Sequence, residues 1–328
     1  MTILKKEEEA MPNKLLESHP LSDPNNLAPQ AKDTASHAST NALSRAMLGE
    51  FIGTFILVFF GVGVVNAAVV TGAQVGLWQV AVVWAIGVSL GIFSSNALSG
   101  AHLNPAITLV SVVYDRFPIG RGISYALAQI AGAMAASMVL YAMFAESILE
   151  FERRHGLLRG GPASERSAMV FGEYFPNPAV FGTAEDAWRI VGLQGAFTAE
   201  MVGTAMLAFI IAAVTHERNQ AKPPAAVQAI MIGLGVAAII SVIAPLTQAG
   251  LNPARDLGPR IVSWFLGWGE IAFPGPRGGW LSVYIIAPML GALVGGGLYR
   301  LMAGHLLDPA PKNGIVKLTS SNRLESSR

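Results

Sequence analysis

Apolar runs long enough to cross a lipid bilayer recur six times along this chain, near Met47–Val69, Trp78–Phe93, Ile123–Phe144, Leu193–Val214, Ala225–Ala244 and Leu281–Met302. A hydrocarbon core about 30 Å thick takes roughly 20 mostly apolar helical residues, so the pattern predicts six transmembrane helices. Two shorter apolar pieces, Leu103–Val113 and Pro253–Leu266, cannot cross, and Asn-Pro-Ala stands at the start of each. Backbone that stops at membrane depth is tolerated only inside protein or along a water-filled cavity, so both pieces are predicted to be half-helices entering from re-entrant loops. The ends follow another pattern. Residues 1–44 hold KKEEE and then Ser, Asn, Pro and Lys without a period, which reads as a disordered tail, and the acidic run argues against a signal peptide. The stretch 306–328 is polar as well and reads as a second tail.

The pattern repeats internally. EFIGTFILVFF begins at Glu50 and EMVGTAMLAFI at Glu200; Glu50 precedes Asn104 by 54 residues and Glu200 precedes Asn252 by 52. The chain therefore reads as two halves, about 45–146 and 191–305, joined by an extracellular loop 147–190. Three spans per half is an odd number, so the halves must sit in the membrane with opposite orientation. Inverted repeats of this kind place a site near the midplane, where broken helices meet.

Composition narrows the class. Of 328 residues 52% are hydrophobic and 13% charged, with mean hydropathy +0.48, against about 25% charged in soluble domains. A net charge of +1 offers no basic field for nucleic acid, and the absence of cysteine excludes disulfides and thiolate metal sites. No cluster of His, Asp and Glu has metal-ligand spacing, and neither half carries a catalytic constellation, so no cofactor and no enzyme activity are expected. With six spans both tails share a side. Lys5, Lys6, Arg45, Arg116, Arg121, Arg218, Lys222, Arg300, Lys312 and Lys317 fall there, which assigns it to the cytoplasm. The opposing loop holds Arg153, Arg154, Arg159, Arg166 and Arg189 and counts against that assignment.

The triplets Asn104-Pro105-Ala106 and Asn252-Pro253-Ala254 make physical sense as helix starts. Asn is a favoured N-cap, and Pro at the first helical position loses nothing because its missing N–H would be unpaired anyway. Two half-helices from opposite faces then meet N-terminus to N-terminus, each carrying about half a positive charge. The amides of Asn104 and Asn252 can donate to a passing oxygen, while a cation or proton meets a positive barrier.

The motifs SGAHLNPA and GLNPARDLGPR, with the paired Glu50 and Glu200, resemble the major intrinsic protein family, the aquaporins and aquaglyceroporins, over nearly all of Met47–His305. The resemblance implies an all-α bundle of six spans and two half-helices. It also implies a homotetramer in the cell membrane with one pore per subunit. Glu50 and Glu200 would accept hydrogen bonds from the re-entrant loops, and carbonyls of Gly100, Ala101 and His102 would line the lower pore. As a lone histidine, His102 also reads as a hydrogen-bonded packing residue. The narrowest point would be formed by Trp84, Ile240, Ala249 and Arg255. Asp256, Arg260 and the YFPNP segment at Tyr174–Pro178 are similar to the glycerol-facilitator branch. Asp256 and Arg260 also stand i, i+4, so a local ion pair that shapes the loop accounts for them too.

Water-selective relatives carry His where this chain has Ile240, so the resemblance implies passage of glycerol, with some water. Ala249 departs from the second aromatic usual in bacterial glycerol facilitators. A Trp, aliphatic, Ala, Arg set is similar to some plant nodulin-like channels, which brings urea and small uncharged metalloid acids into range. Two other readings stand beside this one: a water-selective channel, and an ion-coupled secondary transporter working through Glu50 and Glu200.

Overall fold

The computed structural model describes residues 27–73, 76–273 and 279–306. The chain divides into two units, Met1–Ala42 and Leu43–Arg328. In the first unit the described residues are helical, for helix α1 runs Leu27–Thr71. This helix overlaps the tail expected at 1–44 from Leu27 onward. Ala28, Ala31, Ala35, Ala38 and Ala42 supply strong helix propensity, and Pro29 lies in the first turn, where no intrahelical N–H is needed. Residues 1–26 and the tail 307–328 lie outside the described residues.

Among the described residues six helices are long and apolar enough to cross a membrane, at Asn41–Thr71, Leu77–Ser99, Ile119–Arg154, Leu193–Thr215, Ala225–Thr247 and Gly279–Gly304. These comprise the end of α1, then α2 (Leu77–Ser99), α4 (Ile119–Arg154), α8 (Leu193–Thr215), α9 (Ala225–Thr247), and α11 (Gly279–Leu281) continuing into α12 (Ala287–Leu306). Between α11 and α12 the chain winds as a wide π turn at Ser282–Ile286. Pro288 cannot donate to Tyr284 O there, a known cause of such irregularities. The two half-helices are α3 (Pro105–Tyr114) and α10 (Pro253–Ser263).

Helix α8 packs on α12 within the second half, while three contacts cross between the halves: α2 lies on α9, half-helix α3 packs on α12 and half-helix α10 on α4. Each half-helix is therefore held by the third span of the other half. Close approach needs glycine at matched places: a Cβ added to Gly132 would sit 2.3 Å from Phe51 O, and one at Gly291 would sit 2.1 Å from Met201 O. Phe51 and Met201 follow the two repeat glutamates, so the same small-residue contact recurs in each half.

The loop expected at 147–190 begins later, because α4 continues to Arg154. At 1.5 Å per residue its 36 residues span roughly 54 Å, well beyond the hydrocarbon. Its last turns carry Glu150, paired with Arg153 and Arg154 at 2.7 and 2.6 Å. The connection that follows is folded, not loose. It contains short helices α5 (Glu165–Ala168), α6 (Pro178–Phe181) and α7 (Ala187–Ile190). Met169, Val170, Phe171, Tyr174 and Phe175 within it are all buried.

This connection also holds a third Asn-Pro-Ala, Asn177–Ala179, which lies outside the two repeat halves. Asn177 Oδ1 accepts from Ala179 N at 2.9 Å, its Nδ2 donates to Ala244 O at 2.8 Å, and its backbone N donates to Leu246 O at 3.1 Å. Here the triplet caps a single turn and ties the connection to the carbonyl end of α9. The same local chemistry thus serves as a fastener outside the repeat.

Candidate functional site

The re-entrant loops, 100–104 and 248–252, are rich in left-handed backbone. Non-glycine residues Ala101, Leu103, Gln248, Ala249 and Leu251 have φ of 54, 52, 65, 66 and 56°. Each such conformation costs about 1–2 kcal/mol. The offset comes from two fully buried carboxylates. Glu50 accepts from His102 N at 3.0 Å, Leu103 N at 2.7 Å and Gln129 Nε2 at 2.7 Å. Glu200 accepts from Gly250 N at 2.8 Å, Leu251 N at 2.8 Å and Thr247 Oγ1 at 2.6 Å. With backbone N–H groups drawn toward the glutamates, Gly100, Ala101 and His102 line a cavity from one loop. Ala249, Gly250 and Leu251 line it from the other.

At the loop ends the half-helices meet. Asn104 caps α3 by accepting from Ala106 N at 2.8 Å, and Asn252 caps α10 by accepting from Ala254 N at 3.0 Å and Arg255 N at 3.3 Å. Those bonds orient both amides, and the donor ends cross. Asn104 Nδ2 donates to Leu251 O at 3.0 Å, and Asn252 Nδ2 donates to Leu103 O at 2.7 Å. One N–H of each amide is so consumed, and the second has no partner among the described residues. Both asparagines line the cavity.

The cavity has a volume of about 450 Å³. Its lining is mixed: aliphatic at Leu57, Val88, Ile107, Leu207, Ile232 and Val236, and polar at the loop residues and the two asparagines. Trp84, Ile240, Ala249 and Arg255 all line it, and the Arg255 guanidinium carbon lies 4.2 Å from the Trp84 ring centroid. The lining also includes Asp115 and Arg300, joined by bonds of 2.7 Å from Arg300 Nη2 to both carboxylate oxygens.

His102 sits against Phe117 and Tyr125, with ring centroids 5.1 and 5.2 Å away, and its Nδ1 lies 3.2 Å from Thr108 Oγ1. Thr108 already donates its proton to Asn104 O at 3.0 Å, so it can only accept from the imidazole, which makes His102 the Nδ1–H tautomer.

Asp256 does not line the cavity; it is fully buried and works on the connection instead. Its Oδ1 accepts from Glu173 N at 2.8 Å and its Oδ2 from Arg260 Nε at 2.7 Å. Arg260, also fully buried, donates Nη1 to Ala272 O at 2.8 Å and Nη2 to Glu173 O. A Cβ at Gly172 would lie 2.6 Å from Arg260 Cγ, so only glycine lets the connection pass. The outcome is that Glu173 reaches Arg255, with Arg255 Nη1 donating to Glu173 Oε1, and both side chains are 4% exposed. Sequence reasoning missed Glu173. A single acid inside the apolar stretch AMVFGEYF is the same kind of signal that singled out Glu50.

The profile of the family described as major intrinsic protein matches residues 37–299. The chain is 40% identical over 271 residues to a glycerol uptake facilitator protein of Pseudomonas aeruginosa, covering 82% of this chain and 92% of that one. It is 36% identical over 268 residues to a propanediol uptake facilitator of Citrobacter freundii, covering 81% and 95%. Among solved structures, the aquaglyceroporin from Plasmodium falciparum matches with a TM-score of 0.69 at 26% identity, over 82% of this chain and 100% of that one. Six membrane-crossing helices, two half-helices meeting at their asparagine caps, and these similarities lead to one conclusion: the chain is a multi-pass membrane protein of the major intrinsic protein family.

Proposed function

We propose that the protein is a passive, bidirectional channel for glycerol and similar small neutral solutes, with some water. The observation that carries this reading is the mixed lining of the cavity. Its aliphatic side chains suit the CH groups of a polyol, while the loop backbone, two amides and the Arg255 guanidinium suit its hydroxyls. Selectivity by pore width and by placed donors and acceptors is the general expectation for such pores. In this reading Trp84, Ile240, Ala249 and Arg255 form the constriction. Asn104 and Asn252 exclude cations at the meeting of two positive helix ends. The similarity to glycerol and propanediol uptake facilitators supports the solute class. We further propose a homotetramer in the plasma membrane with both termini cytoplasmic, in keeping with the excess of Lys and Arg on that side.

The coupled-transporter reading draws on Glu50 and Glu200, yet both carboxylates are saturated by loop amides and neither lines the cavity. Stopped-flow light scattering on proteoliposomes tests the proposal with glycerol, urea and sorbitol gradients. Glycerol should equilibrate quickly and sorbitol slowly. Passage of water with exclusion of glycerol would refute the solute assignment, and uphill uptake driven by a proton or sodium gradient would refute passive transport.

A further inference from the structure

Five ionisable side chains are packed together around Arg255, and their charges do not balance. Glu173, Glu200, Asp256, Arg255 and Arg260 are all buried, none more than 4% exposed. Three carboxylates against two guanidinium groups leave one excess negative charge, and an uncompensated buried charge is among the costliest features a fold can hold. A single proton on one acid restores neutrality.

Hydrogen bonding identifies which acid. Both oxygens of Asp256 accept, from Glu173 N and Arg260 Nε. Both oxygens of Glu200 accept, from Gly250 N and Thr247 Oγ1 on one and Leu251 N on the other. Glu173 differs: Oε1 accepts from Arg255 Nη1, whereas Oε2 is buried without a partner. The two nearby phenols are committed elsewhere, Tyr174 donating to Ile271 O at 2.7 Å and Tyr284 to Thr247 O at 3.0 Å.

We propose that Glu173 Oε2 is a proton-binding site that sets the net charge at Arg255 and thereby makes solute passage depend on pH. This rests on the reading of Arg255 as part of the constriction. When Glu173 is ionised, the excess negative charge of the cluster sits beside the guanidinium and weakens its pull on a passing hydroxyl. When bulk solvent delivers a proton to Oε2, Oε1 remains a neutral acceptor and that excess charge is gone. Arg255 donors with no protein partner then hold a solute hydroxyl more strongly, and release slows, because conduction needs binding weak enough to let the solute leave. Burial raises the Glu173 carboxyl to about 8; Arg255 pulls it down, Asp256 and Glu200 add to the rise, and Arg260 opposes it. The transition therefore falls in the neutral to mildly alkaline range.

The test uses the full chain in proteoliposomes with equal pH inside and out, scanned from about 6 to about 10, a window centred on a carboxyl shifted by burial. Glycerol permeability should rise with pH through a single-proton step as the bond from Arg255 to the solute weakens. Glu173→Gln, a neutral isostere, should hold the acid-side value at every pH. Infrared difference spectra of the wild type should show a protonated carboxyl band that titrates with the same midpoint and is absent in the variant. A flat wild-type profile, a step of opposite sign, or a step that survives in Glu173→Gln would overturn the proposal. If the variant is not recovered folded, coincidence of the wild-type infrared and flux midpoints supports the proposal and their disagreement overturns it. Glycerol flux absent at every pH, with the infrared band still titrating, would sink the channel reading itself and the coupling with it.

Discussion

The third Asn-Pro-Ala allows the tip asparagines to be separated from their local chemistry. Replacing Asn252 by Ala removes an N-cap to Ala254 N and Arg255 N and a bond of 2.7 Å to Leu103 O. The cap is worth about 1 kcal/mol. The bond to the carbonyl is worth about 1 kcal/mol more, because water in the cavity can replace the lost donor. The sum is about 2 kcal/mol. Replacing Asn177 by Ala removes the same two features, a cap to Ala179 N at 2.9 Å and a bond to Ala244 O at 2.8 Å. Gln248 N still serves Ala244 O at 2.9 Å, so no carbonyl is orphaned and the cost should again be about 2 kcal/mol or less. Asn177 does not line the cavity. Thermal unfolding of the purified protein in detergent should therefore show similar losses for both variants. Stopped-flow measurements should show an altered glycerol-to-water permeability ratio for Asn252→Ala only. An equal change of that ratio in Asn177→Ala, or a fully stable Asn252→Ala, would refute the division between fastener and pore tip.

Asp256→Ala should destabilise the protein by about 3–5 kcal/mol by leaving Arg260 buried and unpaired, and the double variant Asp256→Ala with Arg260→Met should recover much of that in the same melts. Gly291→Ala should lower the yield of folded protein and cost about 1–3 kcal/mol because its Cβ would meet Met201 O at 2.1 Å. Gly195→Ala in α8, with nothing within 4 Å of the added Cβ, should be neutral or slightly stabilising. Ala249→Trp and Ile240→His should each reduce glycerol permeability more than water permeability, since the first narrows the cavity beside Arg255 and the second replaces apolar lining by a polar ring; an equal loss for both solutes would count against their place at the constriction.

Much of the architecture was legible before any coordinates. Hydrophobic run length gives the spans because the bilayer imposes a length that local pattern must meet. That Glu50 and Glu200 hold the re-entrant loops is what the family resemblance implies, and in the structure Glu50 accepts from Leu103 N and Glu200 from Leu251 N. The tail was harder. Scattered alanines among polar residues carry helix propensity without an apolar period, so α1 starts at Leu27 where no helix was expected. The third triplet shows the converse hazard. Asn-Pro-Ala specifies a capped helix start wherever it stands, and nothing in the tripeptide tells a pore tip from a fastener.

The order of spans, the two broken helices, the inverted repeat and the residues at their tips are set by the chain itself, because each depends on spacing and on contacts with lipid or with the nearest backbone. What tertiary structure alone decides is how Arg255 is used. Its counter-charge comes from Glu173, held by Asp256 across 83 residues of sequence and by Arg260 across 87. Only a folded connection brings that carboxylate to the guanidinium, and burial of both is what turns a surface-like acid into a group whose charge matters. Local pattern cannot encode such a contact, since its energy arises from excluding water around groups that lie far apart along the chain.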